Sequence, residues 1–271
     1  MPAFNHDGIQ FYYERLGSGP SVVFCHGLTS DCQVIKRLLG DLNGYELVVW
    51  DCRGHGRTEP VGPHDAFSFR GFAADLHALI EHLGIERAIV GGSSMGAAIA
   101  TRFTLDRPHM VTALALIRPA WLDRPSPEPL RLLETIGDLL EQFPAEEGRR
   151  RFESLPAFQT VREVDPLAAA AMLDLFSEPR AAERSVRLRR IPRDCPIDDW
   201  QDVKHLSMPA LVVGCEPDYV HPLSYAQAWT KRLPLAEFVQ VPAKSQNEAK
   251  YTEEVRSVVH AFVQRISLGK Q

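Results

Sequence analysis

The chain has 271 residues, 45% apolar and 24% charged, ordinary proportions for a globular protein of enzyme size. Its 30 Lys and Arg against 35 Asp and Glu give a formal charge of −5, which argues against a nucleic-acid partner, since phosphate binding needs a basic surface. No apolar run approaches the roughly 20 residues of a membrane helix, and Met1 to Gln10 lacks a basic-then-apolar export signal. Five cysteines without CxxC spacing read as reduced thiols rather than a disulfide or zinc framework. The expectation is a cytoplasmic protein that takes a small-molecule substrate or ligand, with no cofactor, no metal, no nucleic acid and no membrane.

In chain order, Gly8 to Leu16 and Ser21 to Cys25 read as strands around a Gly17-Ser18-Gly19-Pro20 turn, and Glu46 to Trp50 as a third. Phe69 to Leu83 has helical apolar spacing, with Gly84 where a C-cap would sit. Ala88 to Val90 is a buried-looking strand, Ala97 to Leu105 a small-residue helix, and Val111 to Ile117 the next strand. This alternation predicts an α/β fold with a mostly parallel central sheet flanked by helices. From 119 to 206 prolines punctuate helical segments near 129–143, 145–154, 166–176 and 179–190, which reads as an inserted helical cap between core segments 1–118 and 207–271. The pattern then resumes with a strand at Ala210 to Val213, a helix at Pro222 to Leu233, a strand at Glu237 to Val241 and a closing helix at Glu253 to Ile266.

Gly92-Ser93-Ser94-Met95-Gly96 fits G-x-S-x-G with Ser94 at its centre. A serine on a sharp strand-to-helix turn needs a strained backbone, and neighbours lacking Cβ let strand and helix approach. The helix behind it turns its N-terminal N–H groups toward the site and favours negative charge there.

With these residues the chain resembles the cap-bearing, serine-nucleophile members of the α/β-hydrolase superfamily. Phe24-Cys25-His26-Gly27-Leu28, Asp51-Cys52-Arg53-Gly54-His55-Gly56, the Ser94 turn and Gly214-Cys215-Glu216-Pro217-Asp218 carry the resemblance in order. It implies Ser94 as nucleophile, the backbone N–H groups of Leu28 and Met95 as oxyanion hole, and Asp218 as triad acid, with Asp123 the weaker alternative. The implied activity is hydrolysis of a small carboxylic ester, lactone or related carbonyl compound.

The resemblance also implies a histidine in the loop after the last strand, in a Pro-x-x-Gly-His context. That loop reads Val241-Pro242-Ala243-Lys244-Ser245-Gln246, so Gln246 occupies the histidine slot and Ser245 the glycine slot. His260, inside the last helix, shares a face with Arg256 and Gln264 and is expected to point to solvent. Glutamine cannot take the serine proton, and losing the base of a serine hydrolase costs ~10⁶ in rate. Four explanations fit: an introduced substitution, another base (Lys244 or His221), a weak or base-free route, or a non-hydrolytic ligand-binding protein, as in the gibberellin receptors of this fold.

Several residues carry two readings. His221 precedes a helix and reads as a surface cap or as a base. His26, Arg118 and Trp121 are the candidate substrate contacts. Against these stand loop ordering for His26, as for His55, an ion pair with a neighbouring acid for Arg118, and core filling for Trp121. The arginines at 149–151, 187, 189 and 190 read as solvated helix faces.

Overall fold

A computed structural model describes residues 2–268. The described strands are β1 (Ala3–His6), β2 (Ile9–Gly17), β3 (Ser21–Cys25), β4 (Glu46–Trp50), β5 (Ala88–Ser93), β6 (Val111–Ile117), β7 (Ala210–Cys215) and β8 (Ala236–Val241). They form one sheet in the order β1-β2-β4-β3-β5-β6-β7-β8. The pairs β1–β2 and β2–β4 are antiparallel, and every later pair is parallel. An α/β fold with a mostly parallel sheet is therefore what the chain adopts. The structure adds β1 to the expected strands. Its turn into β2 is Asp7-Gly8, with φ of 49° and 74°, the left-handed pair that a two-residue hairpin demands.

Helices α1 (Cys32–Leu39), α2 (Phe69–His82) and α3 (Met95–Asp106) belong to the first half of the chain. Between β6 and β7 lie α4 (Arg131–Gln142), α5 (Ala145–Glu153), α6 (Pro156–Val164), α7 (Pro166–Asp174), α8 (Ala181–Arg190) and the short α9 (Trp200–Val203). Finally α10 (Leu223–Arg232) precedes β8, and α11 (Glu248–Leu268) closes the chain. The structure also adds α1, a short helix whose buried face is Cys32, Ile35, Leu38 and Leu39. Its start is set by Asp31, whose side chain accepts from Gln33 N–H at 2.9 Å. Likewise α11 begins at Glu248 rather than Glu253, because the Asn247 side chain caps it by accepting from Lys250 N–H at 2.9 Å.

The strand period of two sorts the central strands into two cores. Val23, Val48, Val90, Leu114 and Val212 pack on the α2, α3 and α10 side, continuous with Ile136, Phe152, Phe158 and Met172 of the inserted helices. Val22, Leu47, Val49, Ile89, Leu211 and Val213 pack on the other side with Ile35 of α1 and Val255, Val259 and Phe262 of α11. Both faces are thus covered, the condition under which parallel strands read as unbroken apolar runs.

Two expectations are corrected here. Arg187 is buried rather than solvated: it donates to the Gly54 carbonyl at 3.1 Å and pairs with Glu178, tying α8 to the loop after β4. His260 does not point to solvent. It is half-buried, with Nε2 at 2.8 Å from the Leu39 carbonyl, and so helps fasten α11 to the end of α1. Among the described residues no helix is long and apolar enough to cross a membrane.

Candidate active site

The turn from β5 into α3 holds Ser94 at φ 56°, ψ −114°, a left-handed backbone for a residue with a side chain. The strain is sustained by packing around it. A Cβ on Gly92 would stand 2.1 Å from the Gly96 carbonyl carbon, and one on Gly96 would stand 2.1 Å from the Cys25 carbonyl oxygen. Only glycine fits either place, so strand and helix close up and lift the serine into a cavity of about 380 Å³.

His221 Nε2 lies 2.9 Å from Ser94 Oγ, and its Nδ1 lies 3.0 Å from Asp218 Oδ1. The acid and the ring come from one loop. Asp218 Oδ1 also accepts the His221 backbone N–H at 3.1 Å, a turn that folds the ring back over the carboxylate. With Nδ1–H donating to Asp218, Nε2 is left to accept from the serine hydroxyl. Of the two readings of His221, the surface cap is corrected, because the ring is buried and reaches Ser94. The strand order β5-β6-β7 explains it, because the loops after β5 and β7 end on the same sheet edge with only β6 between them.

Gln246 is exposed and lies outside the cavity lining, its backbone N–H bonded to the Ala243 carbonyl. Asp123 is exposed as well and lies outside the lining. Lys244 lines the cavity but is engaged with Glu248 at 3.2 Å. The sequence offers only a weak pointer to His221: it stands three residues beyond the implied acid and directly before Pro222, which disfavours helical backbone there.

Electrostatics fit a proton acceptor at Nε2. Burial lowers the His221 pKa, the Arg118 cation lowers it further, and Asp218 opposes both, leaving the ring neutral at neutral pH. Burial pushes the Asp218 carboxyl up, but His221 and Arg118 outweigh it and hold the group ionised, well below the usual range. Arg118 supplies this through Nε at 2.6 Å from Asp218 Oδ2.

Leu28 lines the cavity, and Met95 is the first residue of α3. Neither backbone N–H has an acceptor among the described residues, leaving two donors beside Ser94. His55 Nε2 lies 2.8 Å from the Leu28 carbonyl and so holds the peptide that follows the Leu28 N–H. His26, offered as a substrate contact, is corrected to a loop-ordering role. It is fully buried, with Nδ1 at 2.8 Å from the Gly27 carbonyl and Nε2 accepting from Cys52 N–H at 3.0 Å. Trp121 does line the cavity, and its buried indole N–H has no partner among the described residues. Arg118 lines the cavity while holding Asp218. Among the described residues, no three of His, Cys, Asp and Glu are grouped as a metal ion would require.

Comparison with known proteins agrees with this architecture. The family model described as alpha/beta hydrolase fold matches residues 20–246. An AB hydrolase superfamily protein of Bacillus subtilis (strain 168) is 25% identical over 273 residues, covering 94% of this chain and 95% of the relative. An alpha/beta hydrolase enzyme from a Medee basin deep-sea metagenome library superposes with a TM-score of 0.73 at 20% identity, over 94% of this chain and 95% of that one. The enol-lactonase of Burkholderia xenovorans LB400 gives 0.72 at 19% identity, over 95% and 98%. At such identities the structural likeness is one of fold.

Proposed function

The chain belongs to the alpha/beta hydrolase fold family, and from that premise we propose that it hydrolyses a small carboxylic ester, lactone or related carbonyl compound through Ser94, His221 and Asp218. The observation that carries the reading is the 2.9 Å contact between His221 Nε2 and Ser94 Oγ, backed by the bond from the same ring to Asp218.

Ser94 Oγ attacks the substrate carbonyl as its proton passes to His221 Nε2. Asp218 stabilises the imidazolium and keeps the ring in the productive tautomer. Negative charge on the carbonyl oxygen is met by the Leu28 and Met95 N–H groups, with the positive end of α3 behind them. His221 returns the proton to the leaving alkoxide, giving the alcohol and an acyl-Ser94. Water, deprotonated by His221, then releases the carboxylic acid and restores the serine. In this reading residues 119–206 act as a cap that walls the cavity with Leu130, Leu133 and Met172. A base of this kind is worth ~10⁶ in rate, about 8–9 kcal/mol of barrier.

The ligand-binding alternative drew its force from a missing base, and the His221 contact supports the hydrolytic reading over it. Labelling with a fluorophosphonate and turnover of short p-nitrophenyl esters test the proposal. Label on Ser94, lost in Ser94→Ala together with turnover, is expected. A folded protein that takes no label and turns over no ester would be a binder instead.

A further inference from the structure

With its ring supplied from the β7 loop, the site has no imidazole on the side where the β8–α11 loop meets it. The cavity extends there, between α1 and α11. These helices are fastened to each other by Arg256 Nε donating to the Leu38 carbonyl at 3.0 Å and by His260 at the Leu39 carbonyl. The arm is lined by Arg37, Arg118, Lys244, Ser245, Tyr251 and Thr252. The opposite, cap-side wall is mostly apolar, with Leu130, Leu133, Leu167 and Met172, and also carries the buried Asp165.

Arg118 is the fixed feature of the arm. Its side chain is 17% exposed and its Nε is held by Asp218. Beyond that bond its two terminal nitrogens have, among the described residues, only the Tyr251 side chain beside them as a polar neighbour, and they are not sealed from the cavity. A guanidinium anchored at Nε presents those two nitrogens as a fork, the geometry that takes a carboxylate through paired bonds. The Tyr251 ring, 5.6 Å from the guanidinium carbon, keeps the fork from swinging away. Lys244 adds a second cation. Its pair with Glu248 is partly exposed on one side and largely exposed on the other, so a ligand carboxylate competes with it at little cost. Arg37, Arg118 and Lys244 lie on this side with Asp218 and Glu248, while the third lining carboxylate, Asp165, belongs to the cap side.

We propose that the arm between α1 and α11 is a subsite for a carboxylate carried by the substrate, held by the terminal N–H groups of Arg118 and by Lys244. The inference rests on Ser94 as the reacting group, and it narrows the substrate class. The ester bears an apolar portion toward the cap and a free carboxylate toward α11, as in a monoester of a dicarboxylic acid.

The test compares monoethyl adipate with the ethyl ester of adipamic acid, following proton release at constant pH. The acid is expected to exceed the amide in kcat/KM by about tenfold or more. In Lys244→Met that ratio falls several-fold, and adipate raises the melting temperature of the wild-type protein more than that of the variant. Equal cleavage of both esters overturns the subsite and leaves hydrolysis by Ser94 standing. Cleavage of neither, with an adipate shift that Lys244→Met removes, supports the subsite and defeats the hydrolytic reading. Cleavage of neither and no adipate shift overturns the subsite.

Discussion

Arg118 donates Nε–H to Asp218 Oδ2 at 2.6 Å, from the end of the strand that lies between the serine strand and the acid strand. The carboxylate is therefore shared between a guanidinium and the His221 ring, and the cation bears on both partners.

A pH profile follows from this arrangement. Burial first, and Arg118 second, hold the His221 pKa below its ordinary 6.5, so the free base persists into mild acid. The acid limb of kcat/KM should have its midpoint below 6.5. In Arg118→Met the repulsion is lost and an unshared Asp218 attracts the imidazolium more strongly, so the midpoint moves up. A midpoint that stays or falls would show that Arg118 does not act on the base.

Gln246→His should bring no gain in esterase activity, within about threefold, because position 246 is exposed and outside the cavity lining. Steady-state turnover of a short p-nitrophenyl ester decides this. A rise of orders of magnitude would return the base to the loop after β8.

The fold and half of the site were legible because their signals are local. Gly92 and Gly96 around Ser94 record a close approach of strand and helix, and the apolar runs of β3, β5, β6 and β7 record burial on both faces. The base was not legible in the same way. His221 looks like any loop histidine before a proline, and its value comes from β5 and β7 ending on the same sheet edge with β6 between them, which no sequence spacing encodes. Arg187 was misjudged for a related reason. An arginine among arginines on a helix reads as solvated, and only the packing of α8 on Gly54 buries it. The lower end of α11 turned on one cap, Asn247, and with it Glu248, Tyr251 and Thr252 joined the site.

Stability should depend on pH through His55. Burial holds its folded-state pKa well below 6.5, with Arg187 and His26 adding to the effect. Below pH 6.5 the unfolded chain binds a proton at this residue that the folded chain refuses. Stability is thus complete above 6.5 and is lost as pH falls, by up to about 1.4 kcal/mol per pH unit. Urea denaturation between pH 7 and 5 should show a slope shallower by one proton in His55→Gln, where the other titrating groups cancel in the difference. Equal slopes would mean that His55 is protonated in the folded protein.

The central claim is that His221 serves as the base for Ser94, and the most direct measurement is kcat/KM of His221→Ala against the wild-type protein on one activated ester, with folding checked by circular dichroism. The account predicts a loss of at least about 10³-fold, approaching the ~10⁶ seen when a serine hydrolase loses its base. A folded His221→Ala protein within tenfold of wild type would contradict it.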